Sequence, residues 1–258
     1  MYSILFTFII NLVYSYSKPE QVHIAQGLTS QTIIISWLDI IGSKAVVKLN
    51  NNIYNGSSIN YSIQNYTSKQ INHVQIDNLM FSTRYFYQID NFKSSFSTGP
   101  EPGYLRDILL EINNYSSSNL VFGIIGDIGQ TIDTEHTLKH LSQNKEINMI
   151  LHAGDLSYAN CNQDLWDSYG IMIEPLSSKI PWMVGPGNHE IEYINGSQLY
   201  LSFESRYRMP QIKLAEFGTI KIANSINPKT GLPYCCPSTF LSEGVFTFIT
   251  FILMILKL

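Results

Sequence analysis

Histidine and positive charge are both scarce in this chain of 258 residues. Only six histidines occur, and the last of them is His189. Lysine and arginine together number 16, form no run, and leave a formal net charge of −4. A general nucleic-acid binder is usually basic, and a polybasic membrane patch needs clustered cations. The composition therefore argues against nucleic-acid partners and against electrostatic binding to a membrane surface.

Long apolar runs are missing as well, because none reaches the ~20 residues that a membrane-spanning helix needs. Residues 4–13 form a mainly apolar stretch, and Ser15-Tyr16-Ser17 comes shortly after it. This is the pattern of a secretory signal peptide over residues 1–17, with a membrane anchor or a buried strand as the alternative. Residues 244–258 fit a core strand or an aberrant terminus better than a lipid-anchor signal, which needs a polar spacer. We predict no stable membrane span.

Cysteine is the third scarce residue, and its three copies are Cys161, Cys235 and Cys236. An odd number leaves at least one thiol unpaired or bound to another chain, and the sequence leaves the pairing open. Asn-x-Ser/Thr sequons, which accept N-linked glycans, are more frequent. They begin at Asn55, Asn60, Asn65, Asn114 and Asn195. Together with the predicted signal peptide, these sequons predict a secreted or lumenal glycoprotein of a lysosome- or vacuole-like compartment.

Residues 18–98 carry short apolar strands separated by Asn, Gly and Ser turns. The predicted strands cover 21–24, 32–37, 44–49, 71–76, 83–89 and 94–97. Trp37 is expected in the core, and Tyr85, shortly after Leu79, matches the corner tyrosine of such folds. The pattern predicts an all-β sandwich of the fibronectin type III kind. Residues 99–118 are a predicted linker, because they begin with Gly99-Pro100-Glu101-Pro102-Gly103.

From residue 119 onward, strands and helices alternate. Buried strands are predicted over 120–125, 148–153 and 180–184, with helices over 134–142 and 163–176. This order is typical of an α/β domain with parallel strands. The fold class is therefore a β-sandwich followed by an α/β domain.

A Gly-rich segment follows each of the three predicted strands of that domain. The segments are Gly126-Asp127-Ile128-Gly129, Gly154-Asp155-Leu156-Ser157-Tyr158 and Gly187-Asn188-His189-Glu190. Ligands of an open parallel sheet bind beyond the carboxyl ends of its strands, so the three loops should converge at one edge. Carboxylate, amide and imidazole groups are ligands of metal ions. Each segment alone is most simply a turn or a helix cap, but their order and spacing favour a metal site.

These segments resemble the metal-site motifs of the metallophosphoesterases, and specifically of the long, plant-type purple acid phosphatases. The flanking residues 165–170 and 203–210 agree, as does a β-sandwich ahead of the catalytic domain, so the resemblance covers about residues 18–210. Tyr158 is the discriminating residue, because other metallophosphoesterases carry a different residue three positions after the aspartate. The resemblance makes residues 18–98 the family's N-terminal sandwich and residues 119–258 a partial calcineurin-like metallophosphoesterase domain.

The resemblance implies an acid phosphatase that hydrolyses phosphate monoesters by attack of a metal-bound hydroxide at a binuclear Fe(III)–M(II) centre, where M is Fe, Zn or Mn. It implies that Asp127 and Tyr158 bind Fe(III), that Asp155 bridges the two metals, and that Asn188 binds the divalent ion. His189 would be catalytic: it would stay off the metals, hydrogen-bond the phosphate and assist the leaving group. The expected partners are small phosphate esters, and a homodimer is a further expectation.

The family also uses a Val-x-x-His and a Gly-His-x-His segment, and neither occurs in this chain. Cys235 and Cys236 are too soft to replace their histidines in an oxygen-rich site. His136 and His140 share a predicted helix face, but they lie at the wrong point in the chain and are expected to be exposed. We therefore expect a C-terminally truncated chain, an incomplete αββα sandwich with an exposed apolar sheet face, and an incomplete metal site.

Other functions stay open. The chain could be a non-catalytic, truncated pseudoenzyme that keeps phosphate or single-metal binding, and the low histidine count favours this over a working binuclear enzyme. A phosphodiesterase or nucleotide pyrophosphatase of the same superfamily is the alternative within the enzyme class. A secreted adhesion module would need exposed recognition loops in the sandwich, and none stands out in the sequence.

Overall fold

The computed structural model describes residues 18–101, 120–192 and 200–210. The predicted signal peptide, most of the predicted linker and all residues after 210 lie outside the described ranges, as do Asn114, Asn195, Cys235 and Cys236. Within these ranges, no helix combines the length and the apolar character needed to cross a lipid bilayer.

Two four-stranded antiparallel sheets form a sandwich, in the orders β1-β2-β8-β5 and β10-β9-β3-β4. The strands are β1 Glu20–Gln26, β2 Ile33–Asp39, β3 Val46–Leu49, β4 Asn52–Asn55, β5 Ser57–Ile59, β6 Ser62–Ile63, β7 Tyr66–Thr67, β8 Gln70–Ile76, β9 Arg84–Ile89 and β10 Phe92–Ser97. The predicted sandwich is confirmed. Strands β4 to β7 were not predicted, and β6 and β7 pair with each other as a separate hairpin.

The inner faces of the two sheets pack as their alternating sequences predict. Trp37 is fully buried in the sandwich core, together with Val74 and Ile76 of β8. The Tyr85 hydroxyl accepts a hydrogen bond from the Met80 backbone N–H at 2.8 Å. This bond satisfies a loop amide and confirms Tyr85 as the corner tyrosine of the sandwich.

The outer face of the β1-β2-β8-β5 sheet is also covered. Every residue of β2 is buried, which requires protein on both sides of the strand. Ile33 and Ile35 face the sandwich core, whereas Ile34 belongs to a second cluster shared with the α/β domain. The sandwich and the α/β domain are therefore packed together through this sheet.

The α/β domain holds a three-stranded parallel sheet in the order β11-β12-β13, which confirms the predicted parallel pairing. Its elements are β11 Val121–Ile125, α1 Ile132–Gln143, β12 Ile147–Ala153, α2 Asp164–Ser177, β13 Trp182–Gly185 and α3 Leu201–Arg206. One face of this sheet packs against the helices, with Trp166, Tyr169 and Trp182 fully buried in the shared core.

The prediction of an exposed apolar sheet face is wrong for most of the described sheet. Met149, Leu151 and Met183 lie on the face away from the helices, yet all three are buried against Ala25 and Ile34 of the sandwich. At the β11 edge this sheet face is exposed to solvent, and Ile124 there is 68% exposed. The sandwich thus covers most of the sheet face that we expected, from the sequence, to be exposed to solvent.

Arg206 joins the two domains from the end of α3. Its side chain is 2% exposed, and its Nη2 lies 2.9 Å from Asp167 Oδ1. The guanidinium also donates to the sandwich, with Nε to the Tyr61 hydroxyl at 2.9 Å, Nη1 to Gln21 Oε1 at 2.9 Å and Nη2 to the Tyr66 hydroxyl at 2.8 Å. A buried charge is stable only when it is paired and hydrogen-bonded in this way.

Arg206→Ala should therefore lower the free energy of unfolding by about 3 kcal/mol, because it leaves several buried polar groups without a donor. Urea unfolding measures this loss. Arg84 is exposed and bonds to the side chain of Ser95, so Arg84→Ala is the matched control, with an expected loss of at most about 0.5 kcal/mol. Equal losses in the two variants would contradict the role given to Arg206.

Candidate metal centre

The three Gly-rich loops meet at the carboxyl edge of the parallel sheet, as the sequence predicts. Asp127 follows β11, Asp155 follows β12, and Asn188 opens a 3₁₀ turn, Asn188–Glu190, after β13. The Asp127 N–H donates to the Gly154 carbonyl at 3.2 Å, and the His189 N–H donates to Asp155 Oδ1 at 3.0 Å. Hydrogen bonds between neighbouring loops therefore hold all three in contact.

Three of the four predicted ligands have left-handed backbones. The φ angle is 52° at Asp127, 52° at Asp155 and 51° at Tyr158. A non-glycine residue in a sparsely populated backbone region costs of order 1–3 kcal/mol, and such residues cluster at functional sites. The fold thus tolerates strain at the positions whose side chains would bind metal.

Two glycines allow the second and third loops to touch. A Cβ on Gly187 would lie 2.2 Å from Asp155 Oδ1, and a Cβ on Gly154 would lie 2.8 Å from the Gly187 nitrogen. Any larger residue would push the Asp155 and Asn188 loops apart. Glycine is required at these positions for close approach of the backbones.

The side chains of the predicted ligands form a set of oxygen ligands at this edge. The Tyr158 hydroxyl donates to Asp127 Oδ1 at 3.2 Å. Burial raises the pKa of Tyr158, and the carboxylates of Asp127 and Asp155 raise it further. Burial likewise raises the pKa of Asp155, and the charge of Asp127 adds to that effect. A bound cation would relieve this repulsion and favour the phenolate, so the set fits a hard metal ion.

In the part of the chain that the structure describes, no three His, Cys, Asp or Glu side chains cluster as a metal cage. The predicted set is built differently, because two of its four members are a phenol and an amide. His136 and His140 are both exposed on α1, as the sequence predicts, and neither belongs to the site.

His189 is held beside these ligands by two contacts. Its ring centroid lies 4.2 Å from that of Tyr158, and its Nδ1 lies 2.7 Å from Asn160 Oδ1. An amide oxygen only accepts, so Nδ1 carries a proton. Nε2 then carries a proton only in the imidazolium form, which is the form able to donate to a phosphate oxygen. Sequence reasoning missed Asn160. It lies two residues after Tyr158 in the same loop and has a left-handed backbone, with φ of 48°.

Glu190 is the second residue that sequence reasoning missed. Its side chain is 0% exposed and accepts three backbone N–H groups, from Asp155 at 2.8 Å, Leu156 at 2.8 Å and Gly187 at 2.7 Å. Burial raises the pKa of Glu190 to about 7, although these donors oppose the rise. The carboxylate fastens the second loop to the third. Its position directly after the Asn-His pair is its only sequence signal.

Residues 120–251 match the sequence model of the calcineurin-like phosphoesterase family, which covers about half of the chain. The chain therefore belongs to the calcineurin-like phosphoesterase family.

Within that family, proteins named purple acid phosphatases are similar to this chain, which confirms the resemblance read from the motifs. Purple acid phosphatase 5 of Arabidopsis thaliana is 33% identical over 220 residues, which cover 76% of this chain and 52% of that protein. Fe(3+)-Zn(2+) purple acid phosphatase 12 of the same plant is 33% identical over 236 residues, or 82% of this chain and 45% of that protein. The chain thus spans about half the length of these curated relatives.

A solved structure agrees on the fold. The purple acid phosphatase isolated from yellow lupin seeds superposes with a TM-score of 0.59 at 19% identity, over 76% of this chain and 41% of that one. At this identity the likeness supports the architecture of a sandwich followed by an α/β domain, and nothing finer.

Proposed function

We propose that the chain is part of a purple acid phosphatase that hydrolyses phosphate monoesters at a binuclear metal centre. One observation carries the proposal: Asp127, Tyr158, Asp155, Asn188 and His189 lie on three loops that touch at the carboxyl edge of one sheet. A phosphodiesterase of the same superfamily is the alternative, but no described contact favours a diester.

In this proposal Asp127 and Tyr158 would hold Fe(III), Asp155 would be shared by the two metals, and Asn188 would hold a divalent ion, which would be Fe, Zn or Mn. The Fe(3+)-Zn(2+) pair in the name of one relative supports this choice. Two such ions neutralise phosphate charge and supply a nucleophile by lowering the pKa of bound water.

The chain's own residues position the substrate and move a proton. Asn160 holds Nδ1 of His189, and the Tyr158 ring packs against the imidazole, so the orientation of the His189 ring is fixed. His189 in its imidazolium form donates from Nε2 to a phosphate or leaving-group oxygen.

A second candidate is a non-catalytic protein that binds phosphate or a single metal ion. The observation that favours it is the absence of any histidine after His189 in these 258 residues. The four ligands here would then hold one ion without completing the binuclear set.

We also propose a secreted or lumenal location for this protein. Three observations support it: the leader-like residues 1–17, the exposed sequon asparagines Asn55, Asn60 and Asn65, and Cys161, which is disulfide-bonded. We further propose that residues 18–98 form a sandwich domain and residues 119–258 a phosphoesterase domain. The formation of a homodimer stays a prediction.

Hydrolysis of p-nitrophenyl phosphate by the Fe(III)- and Zn(II)-loaded chain at acid pH tests the function. The phosphatase proposal predicts turnover that Asp155→Asn lowers by roughly 100-fold or more in kcat/KM, since even indirect metal contacts are worth 10–100-fold. The second candidate, whose ligand set is incomplete, predicts metal binding without turnover. Asp133→Asn, on the exposed first turn of α1, is the control and should keep full activity. Turnover that survives Asp155→Asn would refute the site, and metal binding without any turnover would favour the second candidate.

A further inference from the structure

A buried carboxylate anchors the segment that follows the third metal-site loop. Glu192, four residues after Asn188, is 0% exposed. Glu192 Oε1 accepts from Gln163 Nε2 at 2.8 Å and from the Trp166 indole N–H at 3.1 Å. Its Oε2 accepts from the Ser202 hydroxyl. The third loop is therefore tied to the start of α2 and to α3.

Gln163 extends this connection into the β-sandwich. Its Oε1 accepts from the Tyr61 hydroxyl at 2.9 Å, and its Nε2 is the group that donates to Glu192. Tyr61 belongs to the sandwich, where its ring is buried with Leu38 and Ile71. The Tyr61 hydroxyl also accepts from Arg206 Nε at 2.9 Å, which directs its proton toward Gln163.

Three groups surround the Gln163 amide: Glu192 accepts from its Nε2, and the hydroxyls of Tyr61 and Ser202 both lie 2.9 Å from its Oε1. The single Ser202 proton is donated to Glu192 Oε2, so the Tyr61 hydroxyl is the donor to Gln163 Oε1. If the amide were flipped, its NH₂ group would face the Tyr61 hydroxyl proton, and its oxygen would face the Glu192 carboxylate. Both faces would then lose a hydrogen bond in a buried site, where unpaired polar groups are costly. The Tyr61 hydroxyl therefore holds the amide in the one orientation that can donate to Glu192.

We infer that Tyr61, Gln163 and Glu192 form a positioning relay through which the β-sandwich holds the loop of Asn188 and His189. The sandwich then takes part in shaping the metal centre without contacting it. The inference rests on the proposed function in one respect, because that function gives the loop of Asn188 and His189 its role in catalysis. The relay itself is a property of the folded chain and is testable without metal or substrate.

Tyr61→Phe tests the relay, and Tyr66→Phe is its matched control. Both variants remove a hydroxyl that bonds to Arg206, but only the Tyr61 hydroxyl contacts Gln163. The first measurement is the indole N–H resonance of Trp166 in the ¹⁵N-tryptophan-labelled full chain, assigned with Trp166→Phe. The second is amide hydrogen exchange over residues 187–192.

Tyr61→Phe should shift the Trp166 resonance, leave that of Trp37 in place, and speed exchange over residues 187–192 by about tenfold, as expected for one lost buried hydrogen bond. Tyr66→Phe should change neither the Trp166 resonance nor this exchange. Gln163→Met, which keeps the length of the side chain but removes the amide, should reproduce the effect of Tyr61→Phe. An unchanged loop in Tyr61→Phe and Gln163→Met, or equal changes in the Tyr61 and Tyr66 variants, would overturn the relay.

Discussion

Glu190→Ala should lower the free energy of unfolding by roughly 3 kcal/mol or more, because three backbone N–H groups, two of them buried and one partly buried, lose their acceptor at about 1–3 kcal/mol each. Those groups belong to Asp155, Leu156 and Gly187, so the loss falls on the contact between the second and third loops. Urea unfolding gives the free energy, and hydrogen exchange of the three amides locates the change.

Two further variants separate the hydrogen bonds of Glu190 from a general loss of packing. Glu190→Gln keeps the shape but places an amide NH₂ against at least one N–H donor, so it should lose about 1–3 kcal/mol. Glu146→Ala removes an exposed glutamate and should stay within about 0.5 kcal/mol of the wild type. A Glu190→Ala loss no larger than that of Glu146→Ala would show that the carboxylate does not fasten the loops.

Stability should also fall steeply as the pH drops below about 6.5, the usual pKa of histidine. Burial lowers the pKa of His23 to about 4 and the pKa values of His73 and His152 to about 3. Because these pKa values are lower in the folded chain, the unfolded chain binds more protons in acid. Each histidine then removes about 1.4 kcal/mol of stability per pH unit, from pH 6.5 down to its folded pKa.

The pKa of Glu190 is raised to about 7 and the pKa of Asp155 is raised as well. Both carboxyl groups give the opposite trend as the pH falls toward their ordinary pKa values, but they are two groups against three histidines. The net expectation is acid destabilisation, measured as urea unfolding between pH 7 and pH 4. The fold therefore limits how acidic a compartment the protein tolerates, which bears directly on the proposed acid phosphatase.

His73→Gln identifies the source of this pH dependence. His73 Nε2 lies 3.0 Å from the Ser205 carbonyl, and a glutamine amide can donate to the same oxygen without titrating. The variant should flatten the slope by about 1.4 kcal/mol per pH unit. His136→Gln, on the exposed face of α1, should leave the slope unchanged. A constant free energy from pH 7 to pH 5, or a full slope in His73→Gln, would contradict the account.

The sequence predicted the parallel sheet and the placement of Asp127, Asp155 and Asn188, because each rests on a local pattern. A buried apolar strand followed by glycine and a polar residue fixes the strand, its end and the loop beyond it. The carboxyl ends of parallel strands share one edge, so the meeting of the three loops follows from the strand order.

The short strands β4 to β7 were not predicted, because their segments are polar and two to four residues long. Neither apolar alternation nor length separates such segments from turns. They matter nonetheless, because Tyr61 directly precedes β6 and Tyr66 begins β7, and both tyrosines bond to Arg206.

Long-range partners explain the remaining misses. Glu190 accepts from Asp155 and Leu156, residues more than 30 positions away in sequence, so no local pattern marks it as an acceptor. His23 and His73 occupy outward positions of their strands, which in an isolated sandwich would face water. Their burial depends on the main-chain carbonyls of Arg206 and Ser205 in α3, which only the folded chain brings to them.

The central claim is that Asp127 and Tyr158 hold Fe(III), and a visible absorption titration of the chain with Fe(III) tests it most directly. A phenolate bound to Fe(III) absorbs visible light by charge transfer, so the wild type should develop a purple band. Tyr54→Phe, which alters a half-buried tyrosine of β4, should keep the band, and Tyr158→Phe should lose it. A band that persists in Tyr158→Phe, or no band in the wild type, would contradict the account.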